Sequence, residues 1–153
     1  MKSYLMLLPF VVLVGITAVT GARFMPGEWY AELAKPSWTP PNWLFGPAWT
    51  ILYIMIAIAG WRVWLQAGAG LVLAVWLVQL ALNMAWSWIM FGEHKIGLAF
   101  ADIMLLWLSI LAFIVLAWPV DRVAAWLFVP YLAWVSYAAT LNFAIWRLNP
   151  TVT

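Results

Sequence analysis

The 153-residue chain contains no cysteine. That excludes a disulfide, a thiolate nucleophile and any cysteine-ligated metal. There is one histidine, His94, so no site can rest on two imidazoles. Charge is scarce: 8% of residues are Asp, Glu, Lys or Arg, where a soluble domain has roughly 25%. Five acidic and seven basic side chains leave a net charge of +2. That is too little, too dispersed, for a basic patch, so nucleic acid is not a partner. A long linker and a soluble domain are missing as well. What is present in quantity is apolar. The chain is 68% hydrophobic, 14 of its residues are tryptophan, and its mean hydropathy is +1.00. Such a chain cannot cover a water-facing surface and reads as an integral membrane protein.

A transmembrane helix takes about 20 apolar residues. Five stretches qualify, at about 4–22, 43–65, 71–91, 96–118 and 123–146. The first sits behind Lys2 and ends in the small residues Thr20, Gly21 and Ala22, like a signal peptide. Its apolar run is longer than the roughly 7–15 residues of a signal core, so it is read as a retained span. The expected fold is an all-α, five-helix membrane bundle forming one domain over residues 1–153. The short connections should set consecutive helices antiparallel and adjacent. Pro9 and Pro130 should kink the first and fifth spans. With five spans, Arg23, Lys35, Lys95 and Arg147 fall on one side and Lys2, Arg62 and Arg122 on the other. The count tips the first side toward the cytoplasm. Gly70 and Ala74, and Ala81 and Ala85, are small residues four apart; they fit a dimer face or packing within one bundle.

The segment from Lys35 to Tyr53 organises the rest. Pro36, Pro40 and Pro41 stiffen a loop in which Trp38 and Trp43 are set. The chain then enters a helix whose Trp49 and Tyr53 share a face. An interfacial loop leading into a membrane helix would have the same pattern, but the depths of the polar residues are more telling. At 1.5 Å per residue, Trp49 lies roughly 9 Å and Tyr53 roughly 15 Å below the lid side. Trp86 and Asn83 lie roughly 7 and 12 Å below it, with Gln79 one turn deeper on the same stripe. Asp102 reaches roughly 9 Å from that side. Asn142, Ala138 and Trp134 descend along the last span. The intramembrane polar groups therefore gather in the half-bundle under the lid.

Each group has a plain and a functional reading. Gln79 and Asn83 either bond between helices or anchor a ligand. Asp102 is a ligand or proton site, or a packing group paired with Lys95, a lid cation or a backbone donor. Ala138, one turn from Trp134, makes a slot for a flat molecule or allows close packing. His94 lies in a charged turn, which argues against haem or metal ligation, and no metal site is expected. Ser87, Ser109 and Ser136 have no nucleophile context.

Four motifs carry a resemblance: Lys-Pro-Ser-Trp-Thr-Pro-Pro at 35–41, Gly-Pro-Ala-Trp at 46–49, Gln-Leu-Ala-Leu-Asn-Met-Ala-Trp at 79–86, and the run from Pro130-Tyr-Leu-Ala-Trp to Leu-Asn-Phe-Ala-Ile-Trp-Arg147. With these, the chain resembles the TspO/MBR family of tryptophan-rich sensory and translocator proteins. The resemblance implies a five-helix protein, often a homodimer, with a cavity beneath its first loop. It implies binding of porphyrins (protoporphyrin IX, or haem as ligand), of drug-like translocator-protein ligands such as isoquinoline carboxamides, and in several members of cholesterol. No cofactor is required. By position, Tyr30, Trp38, Pro40, Trp49, Asn83, Trp86, Trp134, Ala138 and Leu141 match the family's ligand site. Tyr53 and Gln79 join them by depth and face. Trp49 and Trp134 match tryptophans implicated in light-dependent porphyrin breakdown, which makes them the candidate catalytic residues. The family's sterol motif would fall on Leu141, Phe143 and Arg147, with phenylalanine where the motif has tyrosine; Lys95, Phe100 and Leu105 fit its reversed form. The expected protein is a porphyrin receptor of a bacterial membrane, acting in tetrapyrrole or stress regulation. A porphyrin-degrading enzyme and a porphyrin or sterol transporter are the alternatives.

Overall fold

A computed structural model describes residues 2–24 and 26–150. Eight α-helices occur among the described residues: α1 (Lys2–Leu5), α2 (Leu7–Arg23), α3 (Glu28–Glu32), α4 (Asn42–Ala67), α5 (Leu71–Ser87), α6 (Ile96–Ala117), α7 (Arg122–Leu127) and α8 (Val129–Leu148). No strand is present among them. A π-helical stretch, Trp88–Gly92, extends α5.

Four helical units are long and apolar enough to cross a membrane: Asn42–Ala67, Leu71–Gly92, Ile96–Ala117 and Arg122–Leu148. The expected first span is shorter, since Leu7–Arg23 has 17 residues. The cause is Pro9, which cannot donate to the Leu5 carbonyl and whose ring crowds it. The helix breaks at Met6, between α1 and α2. Pro130 acts in the same way on the last unit, which breaks at Phe128 between α7 and α8.

The helices do not all pack on their neighbours in sequence. Around the bundle the order is α4, α2, α5, α6 and α8, with α7 returning to α4. Helix α2 lies against both α4 and α5, and this corrects the expectation that α4 and α5 would be close partners. They meet where Trp76, fully buried, donates its indole N–H to the Ile56 carbonyl at 2.9 Å. Gly60 makes room for that ring. A Cβ there would lie 2.5 Å from Trp76 Cε2 and 2.9 Å from Phe10 Cδ1. Three helices therefore close on one glycine.

The two ends of the bundle are fastened differently. At one end Arg62 and Asp121 form a 2.8 Å ion pair, and Asp121 also accepts from the Val123 backbone N–H at 3.0 Å, capping α7. At the other end lies the lid, residues 26 to 41. The sequence shows it as a proline-stiffened loop, but it also holds α3. Its backbone is tied down at Ala34, whose N–H donates to Asn149 Oδ1 at 3.1 Å and whose carbonyl accepts from Asn149 Nδ2 at 2.8 Å. Lys35 Nζ donates to the carbonyls of Tyr30, Ala31 and Leu33, closing the end of α3. Trp29 stacks on His94 with centroids 4.1 Å apart and planes 6° from parallel. His94 turns the chain between α5 and α6 at a φ of 59°. The lid, the His94 turn and the end of α8 thus share one side, as the span arithmetic requires.

Candidate ligand cavity

Beneath the lid lies a small cavity lined by Tyr30, Pro40, Phe45, Trp86, Met90, Phe91, Trp134, Tyr137, Ala138, Leu141, Asn142 and Ile145. Six of the sequence candidates meet there: Tyr30, Pro40, Trp86, Trp134, Ala138 and Leu141. The free volume is about 10 Å³, at the lower limit for even one water molecule. The walls are aromatic, and Trp86 is tethered among them. Trp86 donates its indole N–H to Asn142 Oδ1 at 2.9 Å, and Asn142 donates onward to the Ile96 carbonyl at 3.0 Å. One contact chain therefore joins α5, α8 and the start of α6. Phe45 and Trp49 both present edges to Trp134, with centroids 6.1 and 6.2 Å away.

Two polar atoms on this wall have no partner. Tyr30 Oη and Trp134 Nε1 are both buried and unbonded among the described residues. Burial, with Tyr137 adding to it, pushes the Tyr30 hydroxyl up to about 12. It therefore stays protonated at neutral pH and is available to donate. A buried donor left unmet costs about 1–3 kcal/mol, a cost that a bound acceptor would relieve.

The other candidates are placed elsewhere. Trp49 stacks on Tyr53, centroids 5.5 Å apart. Together with Trp86 these two border a second cavity of about 150 Å³ among α2, α4 and α5. Trp38 is 46% exposed. It lies over Tyr137, whose hydroxyl donates to the Trp38 carbonyl, so it roofs the cavity from outside. Gln79 and Asn83 are buried and occupied. Asn83 Nδ2 donates to Tyr131 Oη at 2.7 Å, and Tyr131 donates to Gln79 Oε1 at 2.8 Å. Gln79 Nε2 donates to the Trp76 carbonyl at 2.8 Å, and Tyr53 Oη reaches Asn83 Oδ1 at 3.4 Å. Of the two roles open to these amides, the structure builds the interhelical one. Asp102 does not pair as expected: its Oδ2 is buried without a partner, and the one ion pair among the described residues is Arg62–Asp121. On α8, Leu141 faces the cavity while Phe143 is 40% exposed beneath the Arg147 guanidinium, 5.7 Å from its ring centroid. The three sterol-motif candidates are therefore split between opposite faces. No cluster of metal-ligating side chains occurs among the described residues.

Sequence reasoning missed Tyr131, Phe45, Tyr137 and Phe91. Tyr131 lies on the helical stripe of Trp134 and Ala138, three and seven residues on, and Phe45 is one turn before Trp49. These were legible by spacing. Phe91 was not. It is five residues from Trp86, off its face in an α-helix, and the wider π turn brings it round to a 5.6 Å edge contact with Trp86.

Ala138 is 5% exposed and abuts a cavity with no spare room for a methyl group. Overfilling such a site costs about 1–3 kcal/mol. Ala138→Thr is expected to lower the thermal midpoint in detergent, read by tryptophan fluorescence. An unchanged midpoint would place that face of α8 against lipid.

A helical bundle with four long apolar units, a buried polar network and an aromatic cavity under a tethered lid defines a multi-pass membrane protein. The TspO/MBR family profile matches residues 5–147, and the chain belongs to that family. It is 50% identical to Protein CrtK of Rhodobacter capsulatus over 135 residues, 86% of this chain and 84% of that one. It is 41% identical to the tryptophan-rich sensory protein of Cereibacter sphaeroides over 147 residues, 96% and 93% of the two chains. With the human translocator protein it shares 42% over 137 residues, 84% and 81%.

Proposed function

We propose that the protein binds protoporphyrin IX and comparable flat, hydrophobic molecules beneath the lid, as a receptor in tetrapyrrole or stress regulation. The observation that carries this reading is the pair of unmet donors, Tyr30 Oη and Trp134 Nε1, on one aromatic wall. A macrocycle presents π faces to Trp49, Trp86 and Trp134, and its carboxylates are strong acceptors for both donors. The cavity has only about 10 Å³ free, so binding requires its walls to part. Phe45, Trp86 and Phe91 separate it from the 150 Å³ cavity, and rotation of the two phenylalanine rings, which no hydrogen bond holds, joins the two. The sensory and translocator names of the relatives support a membrane binding role.

Five spans are part of the proposal. Helices α1 and α2 together run from Lys2 to Arg23, roughly 33 Å at 1.5 Å per residue. That is enough to cross the roughly 30 Å hydrocarbon core.

Titration with protoporphyrin IX is expected to quench the intrinsic tryptophan fluorescence with a micromolar or better Kd. In the double variant Trp49→Phe, Trp134→Phe the affinity should fall by at least about tenfold, or 1.4 kcal/mol. Undiminished affinity there would count heavily against this cavity. The edge contact of Trp49 on Trp134 favours one second reading, breakdown of the bound porphyrin by dioxygen under illumination, with a tryptophan relaying an electron and dioxygen as the oxidant consumed. Turnover beyond one equivalent under illumination would distinguish it from stoichiometric quenching. Flux across proteoliposomes would mark a transporter.

A further inference from the structure

The lid side is a poor entrance. Asn149 holds the Ala34 backbone, Tyr137 holds Trp38, and Trp29 is stacked on His94. The seam between α2 and α4 is different. An apolar groove of about 350 Å³ runs along it, bounded by Leu7, Val11, Gly15, Ala18, Ile54 and Ala57. It meets the 150 Å³ cavity at Ala18, Thr50 and Tyr53, which border both. That cavity in turn shares Phe45, Trp86 and Phe91 with the closed cavity under the lid. The three spaces form one series, from the outer face of the bundle to the unmet donors Tyr30 Oη and Trp134 Nε1.

The side chains along this series are graded. The outer groove is almost wholly apolar. Its hydroxyl-bearing residues, Thr50 and Tyr53, stand at its inner end, and the inner cavity adds Ser87. Glycines keep the path open. A Cβ at Gly15 would meet nothing within 4 Å, and one at Gly21 would come within 3.3 Å of Tyr53 Oη.

We propose that the α2–α4 seam is a lateral entrance through which a flat hydrophobic molecule dissolved in the bilayer reaches the cavity, without passing the lid. This rests on the binding function proposed above. The occupant is fixed by the gradient: an apolar body suits the groove, and a polar edge suits the hydroxyls and then the two donors. A molecule of this kind partitions into lipid, so the groove meets it at a far higher concentration than the aqueous lid does.

Gly15→Phe tests this directly. The Cβ has open space there, so the ring enters the groove from an unstrained start, and phenylalanine in place of glycine does not weaken the helix. Val11→Phe, farther along the groove and outside the inner cavity, is the second plug, and Leu98→Phe on the exposed face of α6 is the control. Each variant is placed in lipid nanodiscs, its thermal midpoint is checked, and protoporphyrin IX quenching is followed by stopped flow and by equilibrium titration. The plugs should slow association and dissociation alike by about tenfold, leaving Kd at the wild-type value, where ordinary affinity variants change mostly the dissociation rate. The control should match wild type. Wild-type association in both plugged variants would overturn the entrance while leaving the binding function standing. So would a weakened Kd with unchanged association, which would make the seam part of the bound site. Absence of quenching in the wild type would overturn the binding function itself, and the entrance with it.

Discussion

Gly60→Ala is expected to lower stability by roughly 1–3 kcal/mol, the usual range for overpacking a filled core. The new Cβ would lie 2.5 Å from Trp76 Cε2 and 2.7 Å from its Nε1. Neither is the loose end of a flexible side chain. Trp76 is fully buried, and its N–H is held by the Ile56 carbonyl. If the ring moves, that hydrogen bond is lost where no water can replace it; if it stays, α4 must move away from α5. Alanine would gain about 1 kcal/mol over glycine in an open helix, so the clash must exceed that gain for the sign to hold. A 2.5 Å approach to a locked ring does so. Gly60→Leu should go further and prevent a monodisperse protein. Thermal unfolding in detergent, followed by tryptophan emission, measures both. A Gly60→Ala variant as stable as wild type would mean that Trp76 does not sit against α4.

The second large effect is expected at Tyr131. Its hydroxyl accepts from Asn83 and donates to Gln79, joining α8 to α5, and the residue is fully buried. Tyr131→Phe keeps the ring and strands two amide groups. Hydrogen bonds between membrane helices average about 0.6 kcal/mol, whereas a buried polar group left unpaired costs about 1–3 kcal/mol. The stranding dominates, so a loss of about 1–3 kcal/mol is expected. Because the penalty belongs to the orphaned amides, removing them should reverse it. Adding Gln79→Leu and Asn83→Leu to Tyr131→Phe should recover much of the stability. A Tyr131→Phe variant at the wild-type midpoint, or a triple variant worse than the single one, would contradict the network.

The span boundaries could be read from sequence because each depends on a local apolar run. Expected limits of about 71–91 and 96–118 became Leu71–Gly92 and Ile96–Ala117. The proline breaks were legible for the same reason, since Pro9 and Pro130 act on their own turns. Helix α3 was not, because Glu28–Glu32 is short and has no periodicity to detect. The insertion of α2 between α4 and α5 was also hidden. Connection length limits which helices can be neighbours but does not say which faces fit, and the fit depends on Gly60, Phe10 and Trp76 meeting. At the candidate site, depth and stripe brought six residues to one cavity. Gln79 and Asn83 lie outside that cavity and are tied to a protein partner, because the same burial that makes an amide look like an anchor also obliges it to find one. Tyr131 is that partner; its spacing puts it on the stripe of Trp134 and Ala138 but does not show which amides it bonds.

The central claim is that a porphyrin occupies the cavity under the lid and takes up the free N–H of Trp134. The indole ¹⁵N–H resonances test it most directly, because the tryptophans differ in what they already bond. Trp76 and Trp107 are occupied, donating to the Ile56 carbonyl at 2.9 Å and to Ser136 Oγ at 2.8 Å. Trp134 Nε1 is unpartnered. On adding protoporphyrin IX to ¹⁵N-labelled protein, the Trp134 indole signal should shift downfield as it gains an acceptor, with Trp49 moving by ring current and Trp76 unmoved. A shift at Trp107, which lines the outer groove between α6 and α8, with Trp134 unmoved, would put the ligand outside the bundle and contradict the account.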